Sequence, residues 1–242
     1  MCGRFTLDAT AAALAQYFRS AEAQAFPPRY NIAPSQPILV VRKGQQQRET
    51  VLVRWGLVPG WVKDIGAFSL LFNARSETIL EKPAFRNAMR HRRCIIPASA
   101  FYEWSQAARG RKIPYVIRPA DGRIMAFAGL WEYWADANGN ELESAAIITV
   151  PANGPLSTIH GRMPALLEPD QFDDWLDTAG VSDKKAAEML KTAPDRGLEM
   201  FAVSDRVNSA VLDDAALLEP AAPANDKAQP RTALQTRQMR LF

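Results

Sequence analysis

The spacing of apolar positions changes period several times along the chain, and each change marks an element. Residues 8–19 carry Leu14, Tyr17 and Phe18 on one face, which predicts a short amphipathic helix. Residues 38–42 and 50–55 are β-branched runs, and the Lys43-Gly44 corner suits a hairpin-like connection between them. Further extended runs lie at 93–97, 101–104, 114–118, 123–130, 144–150 and 198–203. Helical spacing returns at 170–178 and 182–193; the first follows Pro169, with Asp170 as its predicted cap. Many short strands with few helices predict an α+β fold: a curved, mainly antiparallel sheet or barrel-like core flanked by short helices. After about residue 218 the pattern stops. Pro220, Pro223 and Pro230 sit among Ala, Asn, Gln and Arg, which predicts a folded domain over 1–218 and a disordered tail over 219–242.

At 242 residues the chain is long enough for one sizeable domain, or at most two small ones. It has no apolar run of about 20 residues, so no membrane partner is expected. Asp8, Arg19 and Glu22 interrupt any N-terminal signal-like stretch, so the expected location is the cytoplasm. Two cysteines, Cys2 and Cys94, make no disulfide framework. Two histidines and two cysteines without close spacing make no metal site, and no cofactor is called for. The net charge of +3 says less than its distribution: Arg86, Arg90, His91, Arg92 and Arg93 form a basic run that either tracks phosphates or is a solvated face.

The opening Met1-Cys2-Gly3-Arg4-Phe5 carries the most specific chemistry. Methionine aminopeptidase trims Met1 ahead of a small residue, which would make Cys2 the N-terminus and put an α-amine and a thiol on one two-carbon unit. An aldehyde can form an imine with that amine and close onto the thiol as a thiazolidine. An α-amine titrates near pH 7.7–8.0, so roughly a tenth to a quarter is neutral at cytoplasmic pH, about two orders of magnitude more than for a lysine. The thiol, ordinarily near ~8.5, gains thiolate if a cation lies close.

Other residues admit two readings each. His160 lies on a loop beside Arg162, suited to proton transfer near neutral pH or to a structural hydrogen bond. Glu103, in Phe101-Tyr102-Glu103-Trp104, is either a desolvated carboxylate with a raised pKa or an outward residue of an edge strand. Asn73 and Arg75 share a face if extended and suit a sugar oxygen and a phosphate, or they belong to a capped turn. Trp55 and Trp61 bracket a Pro59-Gly60 loop and are core residues or stacking platforms for unpaired bases.

The order of these blocks is more specific than any one of them. With Tyr30-Asn31-Ile32-Ala33-Pro34, Asn73-Ala74-Arg75 with Glu77-Thr78, Arg93-Cys94-Ile95-Ile96-Pro97, Ala128-Gly129-Leu130-Trp131 and His160 with Arg162-Met163-Pro164, the chain closely resembles the SRAP family, the SOS-response-associated peptidase-like proteins that shield abasic sites in single-stranded DNA. The resemblance spans residues 1 to about 210. It implies that Cys2 forms the thiazolidine with a ring-opened abasic sugar, and that Asn73 orients amine or sugar. It further implies that Glu103 shuttles protons and that His160 assists ring opening and reversal. Arg4, Arg75 and Arg162 would hold phosphates, and Trp61 and Thr149 would line the DNA site. The implied protein is a monomer at the nucleoid.

Two departures from the family pattern stand out: Ala100 where a glycine is expected, and Gly161 where a polar residue is usual. Two rival functions remain at this point. One is a thiol hydrolase, possibly self-processing, with Cys2, His160 and Glu103 as nucleophile, base and orienter. The other is a non-covalent single-strand binder using the Trp loop and the basic run. Separately, Gln238-Met239-Arg240-Leu241-Phe242 looks like the peptide by which bacterial proteins dock on the replication sliding clamp, with Gln238, Leu241 and Phe242 as anchors on a flexible tether.

Overall fold

Residues 144–150 are buried without interruption, so this strand is covered on both faces rather than one. It becomes the hub of the fold. In the computed structural model, which describes residues 2–21, 26–106, 110–190 and 197–221, the strands are β1 (Phe5–Leu7), β2 (Arg29–Ile32), β3 (Pro37–Lys43), β4 (Arg48–Trp55), β5 (Asn73–Arg75), β6 (Arg93–Ala98), β7 (Ala100–Gln106), β8 (Lys112–Pro119), β9 (Met125–Ala135), β10 (Glu141–Pro151), β11 (Arg162–Pro164) and β12 (Leu198–Ala202). Strands β10-β4-β3-β6-β9 close into a barrel because β9 also pairs with β10. A second, open sheet runs β12-β8-β7-β1-β2. Pairing is antiparallel except where β10 takes β4 and β5 as parallel neighbours.

The barrel is narrow enough to need a glycine. A Cβ on Gly129 would stand 2.9 Å from Ile96 Cδ1 and 3.0 Å from Cys94 Sγ. Three ring contacts join the barrel to the second sheet: Phe5 meets Trp55 at 5.1 Å and Phe127 at 6.0 Å, and Phe101 meets Phe127 at 6.0 Å, all edge-on. Burying Phe5 alone contributes about 2–3 kcal/mol. That anchor fixes where Cys2, three residues earlier, must lie.

Among the described residues four short helices flank the strands: α1 (Ala11–Phe18), α2 (Pro83–His91), α3 (Phe172–Leu176) and α4 (Asp183–Met189). Helix α1 starts three residues later than its apolar spacing predicts, because the Thr10 hydroxyl accepts the Ala13 N–H and caps it there. The second correction is at 170–178. Glu168, not Asp170, is the cap: it forms a reciprocal capping box with Gln171, and a 3-10 turn at Pro169–Gln171 precedes α3. Helix α4 is described only to Met189 with Leu190 as its cap; the remainder of the helix predicted over 182–193 lies outside the described residues.

Three short strands, β1, β2 and β11, carry too few residues to show a period, and the sequence pattern does not reveal them. Nor does it reveal α2 within the basic run. That run is not one face. Phe85, Ala88 and Met89 turn into the core, and Arg86 and Arg90 turn outward. Arg93 is fully buried on β6 and donates to the carbonyls of Met89, Trp175, Asp177 and Val181. Among the described residues no helix is long and apolar enough to cross a membrane.

Candidate functional site

Four residues from four separate stretches converge at one end of β10. Cys2 is fully buried just ahead of β1, and its Sγ lies 3.7 Å from the Arg4 carbonyl. Asn73 is on β5 opposite Ile147, and its Nδ2 donates to the Cys2 carbonyl at 2.8 Å. Its Oδ1 is buried without a hydrogen-bond partner among the described residues. Glu103 is on β7 and only 3% exposed, and its Oε1 lies 3.8 Å from His160 Nδ1.

Glu103 is not on an edge strand: β7 lies between β8 and β1. Strand alternation does put it opposite Tyr102 and Trp104, but both faces of β7 are covered. Tyr102 and Trp104 pack with Val116, Val203, Val207 and Leu217, while Phe101 joins the main core on Glu103's side. The outward reading of Glu103 therefore fails.

Burial raises the Glu103 carboxyl above the ordinary carboxylate range, and the neighbouring His160 opposes part of that rise. The Cys2 thiol is also pushed well up, first by burial and then by the negative charge of Glu103. Both of these effects disfavour the thiolate. His160 Nδ1 lies 3.0 Å from the Arg162 N–H and 3.1 Å from the Arg162 carbonyl, so either tautomer has a backbone partner.

The three arginines behave differently. Arg4 is committed internally, donating to Asn31 Oδ1 and the Val207 carbonyl, both at 2.7 Å. Arg75 is exposed, and among the described residues it forms no ion pair. Arg162 grips both carboxylate oxygens of Glu77, and its Nη2 also reaches the carbonyl and hydroxyl of Thr149. Thr149 is fully buried on β10 and donates to the Ala74 carbonyl at 3.4 Å, so it acts through its neighbours.

Trp61 is brought elsewhere. It is 60% exposed on the loop between β4 and β5, lies edge-on to Phe68, and lines a cleft with Pro83, Arg86, Asn87 and Arg90. Trp55, by contrast, is core, its indole N–H donating to the Phe72 carbonyl at 2.9 Å. Gln238, Leu241 and Phe242, with the tail from 222 onward, lie outside the described residues.

Neither departure from the family pattern disturbs this arrangement. Ala100 is not among the residues with positive φ, so no glycine is needed there. A Cβ at Gly161 would meet nothing within 4 Å, and the loop is held by Ala152 N–H to the Gly161 carbonyl at 3.1 Å.

Residue-by-residue reading gave no role to Asn31 or Glu77. Asn31 is fully buried, and its Nδ2 ties down the carbonyls of Val207, Ser209 and Leu212. A lone Asn before an apolar residue carries no signal of that. Among the described residues no group of three or more His, Cys, Asp or Glu is placed to hold a metal ion.

The arrangement has relatives. The family model described as SOS response associated peptidase (SRAP) matches residues 1–210. The chain is 39% identical to the abasic site processing protein YoaM of Bacillus subtilis over 90% of this chain and 98% of that one. It is 35% identical to the abasic site processing protein HMCES of Gallus gallus over 80% of this chain and 66% of that one. A solved structure from Bacteroides thetaiotaomicron superposes with a TM-score of 0.81 at 27% identity, covering 91% of this chain and all of that one. One from Bordetella bronchiseptica gives 0.73 at 28%, covering 84% of this chain and all of that one. The chain belongs to the SOS response associated peptidase (SRAP) family.

Proposed function

We propose that this protein captures abasic sites in single-stranded DNA as a covalent thiazolidine on Cys2, after removal of Met1. The observation that carries the reading is the meeting of Cys2 with an Asn73 amide bonded to its backbone, a buried high-pKa Glu103 and His160. Burial and the Glu103 charge disfavour the thiolate, and in this reading the amine reacts first. Its nitrogen adds to the C1′ aldehyde of the ring-opened sugar, Glu103 donates a proton to the departing hydroxyl, and water leaves as the imine forms. The thiol then adds to the carbon of that protonated imine, which already carries its N–H, and gives its own proton back to the Glu103 carboxylate, leaving a neutral thiazolidine. A carboxyl with a raised pKa suits both directions of transfer.

Asn73 Oδ1 would accept from a hydroxyl of the opened sugar, and Arg75 would hold a flanking phosphate. No base contact is required, because the base is missing. The thiol's raised pKa gives less support to a peptidase, which needs a ready thiolate or an adjacent base positioned on it. In this reading the protein acts as a monomer in the cytoplasm on single-stranded DNA.

The test is intact-mass and denaturing-gel analysis of the purified protein with an abasic oligonucleotide. The expected result is loss of Met1 and one adduct per chain, absent in Cys2→Ala and in protein with a blocked N-terminus. An undiminished adduct from Cys2→Ala would overturn the proposal.

A further inference from the structure

Arg162 has the geometry of a phosphate clamp, but its fork is already full. Nη1 and Nη2 reach the two oxygens of Glu77, the second pair at 3.0 Å, and Nη2 also donates to Thr149 Oγ1 at 3.1 Å. Its Nε is buried with no hydrogen-bond partner among the described residues. A guanidinium fork fits carboxylate and phosphate in the same bidentate manner. The two side chains differ in freedom. Arg162 is 16% exposed and pinned against β10, whereas Glu77 is 47% exposed, on the 3-10 turn Ser76–Thr78 directly after β5. Glu77 is the partner that can swing away into water.

The same corner holds Arg75, which pairs with Thr149 across β10, while Arg162 pairs with Pro151. Without Glu77, two arginines would flank the end of β10. With it, the corner carries one net positive charge instead of two. Thr149 cannot substitute for the missing anion, because it offers only a carbonyl and a hydroxyl.

We infer that Glu77 is a specificity-determining residue: its carboxylate occupies the phosphate seat on Arg162 and holds down affinity for intact single strands, leaving discrimination to the covalent step. This rests on the abasic-site reading above. A phosphate that enters must displace the carboxylate, so one anion is exchanged for another. The freed carboxylate gathers its own counterion, and that phosphate adds little to the net ion release on binding. An abasic strand is held by its covalent bond whatever the exchange yields. An intact strand has only the electrostatic term, and that is the term Glu77 reduces.

The test is equilibrium binding of an intact fluorescent single-stranded oligonucleotide across a salt series, in a Cys2→Ala background that removes covalent capture. Glu77→Gln and Glu77→Ala should each bind at least about threefold tighter, with a plot of log affinity against log salt steeper by about 0.7, the increment of one phosphate contact. Adding Arg162→Ala to Glu77→Gln should return the slope to its starting value. Equal or weaker binding by both Glu77 variants, with unchanged melting temperature, would overturn the inference and make Glu77 a mere support for Arg162. Failure of the Cys2-bearing protein to form an adduct with an abasic strand would instead overturn the abasic-site reading, whatever the Glu77 variants do with intact strands.

Discussion

Arg93 and Arg162 each donate four hydrogen bonds, and the two do opposite things. Arg93 lies where β6 passes beneath α3, fully buried, and all four acceptors are backbone carbonyls. Those acceptors cannot leave without unfolding the segments that carry them. Arg162 lies at the rim of the site, and two of its four bonds go to one half-exposed carboxylate. That partner can be exchanged for another anion of the same shape. The number of bonds is therefore a poor guide to role. What decides it is whether the acceptor is fixed by the fold or free to be replaced.

The largest effect should come from Arg93. Arg93→Met would leave four carbonyls, three of them in buried bonds, to find new partners, and should lower unfolding free energy by about 3 kcal/mol or more. Urea denaturation checks it. A loss below about 1 kcal/mol would erase the contrast with Arg162. Arg162→Met should stay within about 1 kcal/mol of the parent by the same measurement, because its ion pair is half-exposed. Its expected deficit is in single-strand binding instead.

Glu103 sharpens the comparison between fixed and exchangeable partners, because its role in the site works against stability. Its folded pKa is raised, so the fold disfavours its charged form. Below the unfolded carboxyl pKa, near ~4.3, Glu103 is protonated in both states and contributes no pH-dependent term. As pH rises through that value toward the folded pKa, the folded state is increasingly penalised. Glu103→Gln should therefore melt higher than the parent at pH 7–8, with the gain fading below about pH 4, while adduct formation slows by about a hundredfold or more. Calorimetry across pH, paired with single-turnover crosslinking, tests both halves. A variant that melts lower at neutral pH would show that Glu103 is a structural anchor rather than a carboxylate held at a cost.

Much of the fold is legible in the apolar pattern, and for a physical reason. Strands such as β3, β4, β9 and β10 are long, and burial of a long strand leaves a signature over many residues. Three of the strands at the site, β1, β5 and β11, have three residues each and leave none, whereas β7, which carries Glu103, is legible as the run 101–104. The site residues are legible as chemical types in order along the chain. Which of them meet is not, as Trp61 and Arg4 illustrate. Trp61 stands in a cleft with α2, and Arg4 is spent on Asn31 and the 207–208 backbone.

By itself the sequence determined the α+β class and the set of thiol, proton-transfer and cationic groups that the chain carries. Only the tertiary structure decided their state. Closure of the barrel and packing of Phe5 against Trp55 and Phe127 bury Cys2 and Glu103 together, and desolvation then raises both groups. The register of β10 against β5 and β11 brings Arg75, Glu77 and Arg162 to one corner, where a carboxylate already fills the arginine fork. Burial and register depend on contacts between residues far apart in the chain, and local residue patterns do not encode them.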